Sequence, residues 1–307
     1  MNYSKKIIIG SGISSFIYFK YNLNRAKVLS SSLNKIIKSN NFYEYNALGG
    51  NSNIWGGYIN YKRHKKFLKN LKYKNFFKKK LFILNRIFSK NSKFSNTYCI
   101  ANRNNEIFRV KKSFFNKQLV EKEISKIYID KNHIKLITND KKIFKTEKLI
   151  LCIGNLNLIK LLYRSDFLDL NDVISFDDSS CSYVLNFFHS ANSNYYIPMP
   201  LKNITEKLIF KKSLKYKKIK DSFILQKFSN TIVNNSLSCN EILNTKNKKT
   251  RFFLSNHIAN MRINNIPIRK FIRLKSSKIN VFCSGAVKKY IPGPIIQDMI
   301  FDILNHK

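Results

Sequence analysis

Short apolar runs alternate with polar turns at the start of the chain and predict a β-α-β unit. Residues 5–9 form an apolar run of strand length, and the turn GSG at 10–12 follows it. Apolar residues then recur at helical spacing over 13–23, and 27–29 give a second short strand. Glycine lets a backbone approach a pyrophosphate, and a helix N-terminus favours its charge. The pattern indicates a nucleotide-binding turn, with a glycine-containing turn of an ordinary α/β protein as the alternative.

Two positions of this unit depart from the usual dinucleotide-binding pattern. The third glycine of that pattern is Ser15 here, and no Asp or Glu ends the second strand, where residues 30–32 are serines. An acidic side chain at that place binds the ribose hydroxyls. We therefore expect the adenosine end of a bound nucleotide to be held less firmly.

The middle of the chain predicts a helical segment, a hairpin and a second strand-helix unit. Residues 61–93 are Lys-rich with a helical pattern, and the alternating runs at 127–129 and 134–137 predict a hairpin. The apolar run KLILCIG at 148–154 ends in glycine and precedes the helical pattern LNLIKLLY. A buried parallel strand that leads into a helix has this pattern.

The pattern changes again after residue 170. Within 171–254 the runs SYVLNFF, NYYIPMP, KLIFKKSLKY and DSFILQKF predict antiparallel strands. The last fifty residues return to the α/β pattern, with KINVFCSG as a strand and GPIIQDMIFDIL as a closing helix. The order predicts a nucleotide-binding part at 1–170 and 255–307, interrupted by a β-rich insert.

The segment NALGGNSNIWGGY at 46–58 concentrates four of the chain's nine glycines around its one tryptophan, Trp55. A bulky Cβ at Gly49, Gly50 or Gly56 would keep the backbone away from a flat ligand. The alternative is a glycine-rich surface turn with a buried tryptophan.

This loop and four other segments, in the same order along the chain, resemble the glucose-methanol-choline (GMC) family of FAD-dependent oxidoreductases, in particular its bacterial branch with a GGxxNxWGG loop. GSGISS at 10–15 takes the place of the first FAD fingerprint, and 148–162 resembles the strand-AxG-helix element. NHIANMRI at 256–263 resembles the HHxGTTRM motif, and 281–299 resembles the C-terminal flavin-contacting segment.

The resemblance implies an α/β fold, with a three-layer Rossmann-type FAD-binding domain at 1–170 and 255–307 and an antiparallel β-rich substrate domain at 171–254. It implies non-covalent FAD, since relatives with a histidyl-linked flavin carry a histidine where this chain has Ile54. The residues that the resemblance assigns to the cofactor are Gly10, Gly12, Ser15, Gly49, Gly50, Asn51, Ser52, Asn53, Trp55, Gly56, Gly57, Gly154, Ser284, Gly285 and Pro294.

The implied reaction is oxidation of a CH–OH group of a sugar or polyol-like donor by hydride transfer to the flavin, which requires a base at the hydroxyl. The family's base position is Asn256 here, and an amide does not accept a proton at neutral pH. The family's second polar partner falls on Gly293. His257 and His189 are the candidate bases, with a structural or surface histidine as the alternative for each. An FAD-binding protein without catalysis is therefore the alternative function.

The net charge of +40 allows a third hypothesis, a nucleic-acid-binding protein. A codon bias is the other explanation, because Lys, Asn, Ile, Phe and Tyr are all abundant and lysines occur in strands, helices and loops alike. No RNP-like, zinc-finger or helix-turn-helix motif is present. We therefore expect a small alcohol or sugar substrate and an electron acceptor of unspecified kind as partners, and no specific nucleic acid.

Cysteine and histidine positions add no metal site to these expectations. The five cysteines are widely spaced without a CxxC pair, which favours a reducing cytoplasm over a disulfide framework. His64, His133 and His306 lie in Lys-rich segments without a motif. No apolar run is long enough to span a bilayer. The expected location is the cytoplasm, with peripheral contact to the inner face of an anionic membrane left open.

Overall fold

A computed structural model describes residues 2–21, 25–31, 35–39, 42–46, 48–53, 58–78, 83–86, 98–103, 106–178, 181–187, 223–228, 233–244, 258–288 and 296–306. The strands of these residues are β1 (Asn2–Ile9), β2 (Lys27–Ser30), β3 (Lys35–Ser39), β4 (Phe42–Asn46), β5 (Tyr58–Asn60), β6 (Ile83–Arg86), β7 (Tyr98–Arg103), β8 (Glu106–Ile107), β9 (Leu119–Glu121), β10 (Ile124–Ile129), β11 (Ile134–Thr138), β12 (Ile143–Leu151), β13 (Val173–Asp178), β14 (Cys181–Phe187), β15 (Phe223–Phe228), β16 (Val233–Ser238), β17 (Ile258–Ile263), β18 (Ile266–Pro267) and β19 (Ile279–Val281). The helices are α1 (Ile13–Tyr21), α2 (Tyr61–Phe67), α3 (Leu71–Lys78), α4 (Asn155–Arg164), α5 (Cys239–Leu243), α6 (Ile268–Lys275) and α7 (Ile296–Asn305).

The main sheet of the described chain has a Rossmann-type order of parallel strands, β9-β2-β1-β12-β19. The first half of β12 pairs with the antiparallel hairpin β10–β11, and its last residues, 149–151, pair with β19. The chain leaves β1 toward β2 and β9, and it later returns to the opposite side of β1 with β12. This reversal makes the carboxyl ends of β1 and β12 the switch point at which such sheets bind ligands.

Side chains of β1 alternate between two apolar layers, which gives the three-layer arrangement. Ile7 and Ile9 belong to the core that contains α4 and α6, whereas Ile8 packs in the core that contains α1 and α7. Because both faces are covered, the strand is a continuous apolar run rather than an alternating one. Residues 13–19 of α1 are all buried, because α7 and the segment 112–118 contact this helix as well as β1. The predicted β-α-β start, the β10–β11 hairpin and the β12–α4 unit are confirmed.

A separate antiparallel sheet has the order β16-β13-β17-β18. Ile174, Phe176, Leu237 and Ile258 of this sheet share one core with Leu149 of β12, so the two sheets are packed together. Antiparallel strands predicted within 171–254 are confirmed at β14 and β15, while the runs NYYIPMP and KLIFKKSLKY lie outside the described residues. The domain boundaries themselves stay a prediction.

The helical pattern over 61–93 is correct for α2 and α3 and wrong for residues 83–86. These residues form β6, which pairs antiparallel with β7. The short apolar run there does not distinguish helix from strand, and pairing with a distant strand decides its conformation. The hairpin β3–β4 and strand β5 are likewise not apparent from the sequence pattern.

Candidate functional site

The turn after β1 passes close against the end of β12. The Gly10 N–H donates to the carbonyl oxygen of Leu29 at 2.8 Å, and the Cys152 N–H donates to Ile9 at 2.9 Å. Gly10 has φ +104°, and a Cβ placed on it would lie 2.5 Å from the Cys152 carbonyl oxygen. Both the backbone conformation and this contact require glycine. The protein's own packing therefore explains Gly10.

Gly12, two residues later, has no such explanation. Its carbonyl accepts the first helical hydrogen bond of α1, from the Phe16 N–H at 3.0 Å, so Gly12 is the residue that caps the helix. Its φ is not in the left-handed region, and among the described residues a Cβ added to it would meet nothing closer than the Gly49 carbonyl oxygen at 3.9 Å. Neither strain nor packing against the described residues requires glycine here, and these residues leave the space beside the N-terminus of α1 open.

The second glycine cluster faces this space. Gly49 and Gly50 have φ of +86° and +50°, and a Cβ on Gly50 would point toward the Gly12 Cα at 3.8 Å. Ser11 holds the two turns together: its Oγ accepts from the Gly49 N–H at 3.0 Å and lies 2.7 Å from the Ser30 Oγ. The structure thus brings together two glycine clusters that are far apart in the sequence.

Residues 108–110 anchor the outer side of the glycine loop. The Val110 N–H donates to the Ser52 Oγ at 3.1 Å, and the Arg109 Nη1 donates to the Ser52 carbonyl oxygen at 2.8 Å. The ring of Phe108 packs against that of Phe16 on α1, with centroids 5.3 Å apart. No motif marks Arg109, and its place beside the loop was not foreseen from the sequence.

Ser15 and Ser30 of the first β-α-β unit are buried in the protein interior. Ser30, at the position where an acidic ribose ligand is usual, bonds with Ser11 and lies 3.5 Å from the Ser31 carbonyl oxygen. Ser15, at the third position of the glycine pattern, is fully buried, and its hydroxyl has no hydrogen-bond partner among the described residues. Neither residue supplies a charge to a ligand.

A second group of predicted residues meets at the start of α4. Gly154 caps this helix, and the side chain of Asn155 bridges to the turn after β19. Its Nδ2 donates to the Ser284 Oγ at 2.9 Å, and its Oδ1 accepts from the Gly285 N–H at 3.0 Å. A Cβ on Gly285 would lie 2.8 Å from that Oδ1 and 3.0 Å from the Met261 Cε, so packing requires this glycine.

Both groups lie at the carboxyl ends of parallel strands, the first after β1 and β2 and the second after β12 and β19. For Asn51 and Asn53 the structure describes the backbone of a 3-10 turn, Gly50–Asn53. The other predicted site residues lie outside the described residues: Trp55, Gly56, Gly57, His189, Asn256, His257, Gly293 and Pro294.

The described histidines have structural partners. His64 is buried with its Nδ1 2.9 Å from the Tyr73 hydroxyl, and burial lowers the pKa of His64 to about 4. His306 bonds with Asn280 at 3.0 Å, and burial together with nearby cationic side chains lowers its pKa to about 4. His133 lies 3.5 Å from an Asp130 carboxylate oxygen. The contacts of His64 and His306 account for these two side chains without a catalytic role.

The thiols behind the site are neutral. Cys152 and Cys283 are free and buried at the ends of β12 and β19. Burial raises the pKa of the Cys152 thiol and raises that of Cys283 to about 11. Thiols in this state are poor nucleophiles. In the part of the chain that the structure describes, no three His, Cys, Asp or Glu residues converge to hold a metal, and no helix has the length and apolarity to cross a membrane.

No family model and no curated protein matches the chain. Solved structures similar to it include a flavin-containing monooxygenase from Stenotrophomonas maltophilia, with a TM-score of 0.26 and 9% identity over 51% of this chain and 40% of that one. A putative FAD-containing monooxygenase from Photorhabdus luminescens has a TM-score of 0.28 and 13% identity, over 58% of this chain and 47% of that one. NikD, an unusual amino acid oxidase essential for nikkomycin biosynthesis, has a TM-score of 0.29 and 7% identity, over 62% and 63%.

The chain therefore spans about two fifths to somewhat under two thirds of the length of these proteins. At these TM-scores the Rossmann-type assignment rests on the strand order and turns of the chain itself. The fold is α/β, with a mainly parallel Rossmann-type sheet and a separate antiparallel sheet.

Proposed function

We propose that this protein binds FAD between its two glycine turns and oxidises a CH–OH group of a sugar or polyol-like donor, in the manner of the GMC oxidoreductases that its sequence resembles. The single observation that carries the proposal is the open space at Gly12. Among the described residues, a Cβ there would meet nothing closer than 3.9 Å, whereas a Cβ on Gly10 would lie 2.5 Å from the Cys152 carbonyl oxygen. A ligand that approaches the backbone explains the missing side chain.

The residues present fit such a cofactor. The pyrophosphate would be held by the turn Gly10–Gly12 and the N-terminus of α1, whose first-turn N–H groups and dipole favour an anion. The flavin ring would be held by residues 51–57 of the glycine loop. Because Ile54 replaces the histidine of covalently linked relatives, the cofactor is held non-covalently.

The adenosine end has a weaker hold. Ser30 is neutral and bonded to Ser11, so it offers no charged acceptor to the ribose. Losing a hydrogen bond to a charged group costs about 1.5–3 kcal/mol. We therefore expect FAD to be lost during extensive dialysis, and retention at nanomolar affinity would contradict this expectation.

Bound FAD would supply the acceptor for the hydride of the substrate carbon. The chain must remove the hydroxyl proton, and Asn256 can only orient or polarise the hydroxyl, because an amide does not take up a proton. His257, next to Asn256, or His189 would hold the proton on an imidazole nitrogen. Such general-base assistance accelerates proton transfer by roughly a hundred- to ten-thousand-fold.

A flavin-binding protein without catalysis is the second candidate. Both positions that carry the family's catalytic pair differ here, as Asn256 and Gly293. Under this hypothesis the protein is yellow, and no alcohol reduces its flavin.

The deciding experiment is the absorbance spectrum of the purified protein, followed by anaerobic addition of a panel of sugars and polyols. Bleaching of the flavin bands supports the oxidoreductase, and a yellow protein that no donor bleaches supports the second candidate. His257→Ala should slow flavin reduction at least a hundredfold at unchanged flavin content if His257 is the base. Asn256→His should raise the rate if only the base has been lost. A protein that is colourless and binds no added FAD contradicts both candidates.

A further inference from the structure

We propose that one face of the antiparallel sheet binds the hydroxyl groups of a neutral polyol donor, with Asp177 as the main acceptor, an inference that rests on the proposed function. Ile174 and Phe176 of β13 are buried in the core, so the residues that alternate with them lie on the other face of the sheet. We call that surface the polar face, and its members are Ser175 and Asp177 of β13 with their direct pairing partners on β16, Ser236 and Asn234.

A β-bulge in β17 lies beside the polar face. The pairing of β17 with β13 shifts its register between Ser175 and Asp177, because β17 contains one more residue there. Asn260 lies within this bulge, with a φ of +49°, and its Nδ2 donates to the Asp177 Oδ2 at 2.6 Å. Bulges redirect side chains and are over-represented next to active sites.

The backbone of Asn260 contacts the turn that follows β19. Its N–H donates to the Val287 carbonyl oxygen at 2.9 Å, and the Val287 N–H donates to the Ser284 carbonyl oxygen at 3.0 Å. Ser284 and Gly285 of this turn are among the residues predicted to contact the cofactor. Asp177 is therefore joined to a predicted part of the flavin site through a single residue, Asn260.

Asp177 retains hydrogen-bonding capacity for a ligand. Several surface carboxylates of this protein pair with lysines, whereas no cation among the described residues forms an ion pair with Asp177. An ionised carboxylate has about four lone-pair sites, and the Asn260 amide occupies one of them. The Oγ of Ser175, on the same face, is buried and has no hydrogen-bond partner among the described residues. A ligand hydroxyl at this face would satisfy both groups.

These groups match a neutral polyol in their hydrogen-bonding chemistry. A hydroxyl group can donate to the carboxylate of Asp177, and it can accept from the amide of Asn234 or from a serine hydroxyl. Hydrogen bonds to an ionised group are the stronger ones, so Asp177 contributes most to the affinity. The same carboxylate repels an anionic donor. A neutral sugar or polyol is therefore the class of donor that fits the polar face.

The test compares Asp177→Asn with the matched control Asp172→Asn. The Asp172 Oδ1 accepts from the Asn264 Nδ2 at 2.6 Å, and Asn264, like Asn260, has a left-handed backbone conformation. Both substitutions therefore remove one charge from an Asp–Asn contact between the same two strands. Asp172, however, precedes β13, at the end of the strand opposite to Asp177.

Binding is measured by equilibrium dialysis of radiolabelled D-glucose and D-sorbitol against the holoprotein, whose flavin is first reduced with dithionite so that it accepts no hydride. We expect the wild type and Asp172→Asn to bind at least one of the two compounds with equal affinity. We expect Asp177→Asn to bind it roughly ten- to a hundredfold more weakly. Flavin content and urea unfolding should stay unchanged in Asp177→Asn, because its amide oxygen can still accept from Asn260.

Failure of this inference and failure of the proposed function give different results. A wild type that binds no FAD overturns both. A yellow wild type that binds neither compound overturns this inference alone, as does wild-type affinity in Asp177→Asn or an equal loss of affinity in Asp172→Asn. If Asp177→Asn does not fold by circular dichroism, Ser175→Ala decides, because it removes a hydroxyl that makes no hydrogen bond to the described residues. A tenfold or larger loss of affinity in Ser175→Ala supports the polar face, and unchanged affinity overturns it.

Discussion

Replacing Gly12 by alanine should weaken cofactor binding roughly ten- to hundredfold without unfolding the protein. The added methyl group would point into the open space, where the nearest atom of the described residues is the Gly49 carbonyl oxygen at 3.9 Å. Alanine is a poorer helix cap than glycine by about 0.5–1 kcal/mol, and it restricts the unfolded chain by about 0.4–1 kcal/mol in the opposite direction. The two effects nearly cancel. We expect the free energy of unfolding of the apoprotein to change by less than about 1 kcal/mol.

The effect on the ligand is much larger. A methyl group at Gly12 would occupy the volume through which a pyrophosphate approaches the N–H groups at the start of α1. Loss of one charge-assisted hydrogen bond costs about 1.5–3 kcal/mol, which corresponds to roughly a ten- to hundredfold weaker affinity. The assay is FAD titration by fluorescence, combined with urea unfolding of the apoprotein. Wild-type FAD affinity in folded Gly12→Ala would refute the placement of the cofactor.

Gly10→Ala is the contrasting variant. Its Cβ would lie 2.5 Å from the backbone oxygen of Cys152, at a φ of +104°. A backbone shift that relieves this clash would break the hydrogen bonds Gly10–Leu29 and Cys152–Ile9. We expect this variant to be strongly destabilised or insoluble, although it differs from Gly12→Ala by only two positions. Equal stability of the two variants would show that the turn is not packed as described.

Three further predictions concern two residues that support the site, Ser11 and Asn155, and the pH dependence of protein stability that His64 causes. Ser11→Ala leaves the buried N–H of Gly49 without its acceptor. We expect the free energy of unfolding, measured in urea, to fall by about 1–3 kcal/mol, and FAD binding to weaken. An unchanged free energy of unfolding would contradict the bridging role of Ser11. Asn155→Ala should likewise destabilise the Gly285 turn by about 1–3 kcal/mol, which a thermal melt measures. The pKa of His64 is about 4 in the folded protein and 6.5 in the unfolded chain. Between these two pH values, only the unfolded chain takes up a proton at His64. Stability should fall by about 3 kcal/mol as pH drops from 6.5 to 4, and His64→Gln should flatten that dependence in urea titrations.

Local pattern was sufficient to predict the first β-α-β unit and the β12–α4 unit. Both are apolar runs of strand length followed by glycine and a helical repeat, and burial on both sheet faces maintains that pattern. The pattern failed at β6, because a four-residue run carries too little periodicity to exclude a helix. It also could not predict β5, whose partner β7 comes about forty residues later in the chain.

The contacts that build the candidate site were less accessible to sequence reasoning than its glycines. Ser11 bonds with Ser30 and Gly49, and Asn155 joins α4 to Gly285, in each case across long stretches of sequence. Glycine content alone gives no indication of which glycines serve packing. The structure separates Gly10 and Gly285, which the protein's own atoms require, from Gly12, which they do not.

The net charge of +40 does not locate an anion-binding site, and the ion pairs show why. Lys122, Lys126 and Lys135 pair with Asp140, Asp166 and Asp130 around the β10–β11 hairpin, largely at the surface. Exposed ion pairs of this kind contribute little free energy, and salt screens exposed charges over about 8–10 Å at physiological ionic strength. Affinity for a diphosphate must therefore come from groups in contact with it. In the proposed site those groups are the N–H donors at the start of α1, beside Gly12.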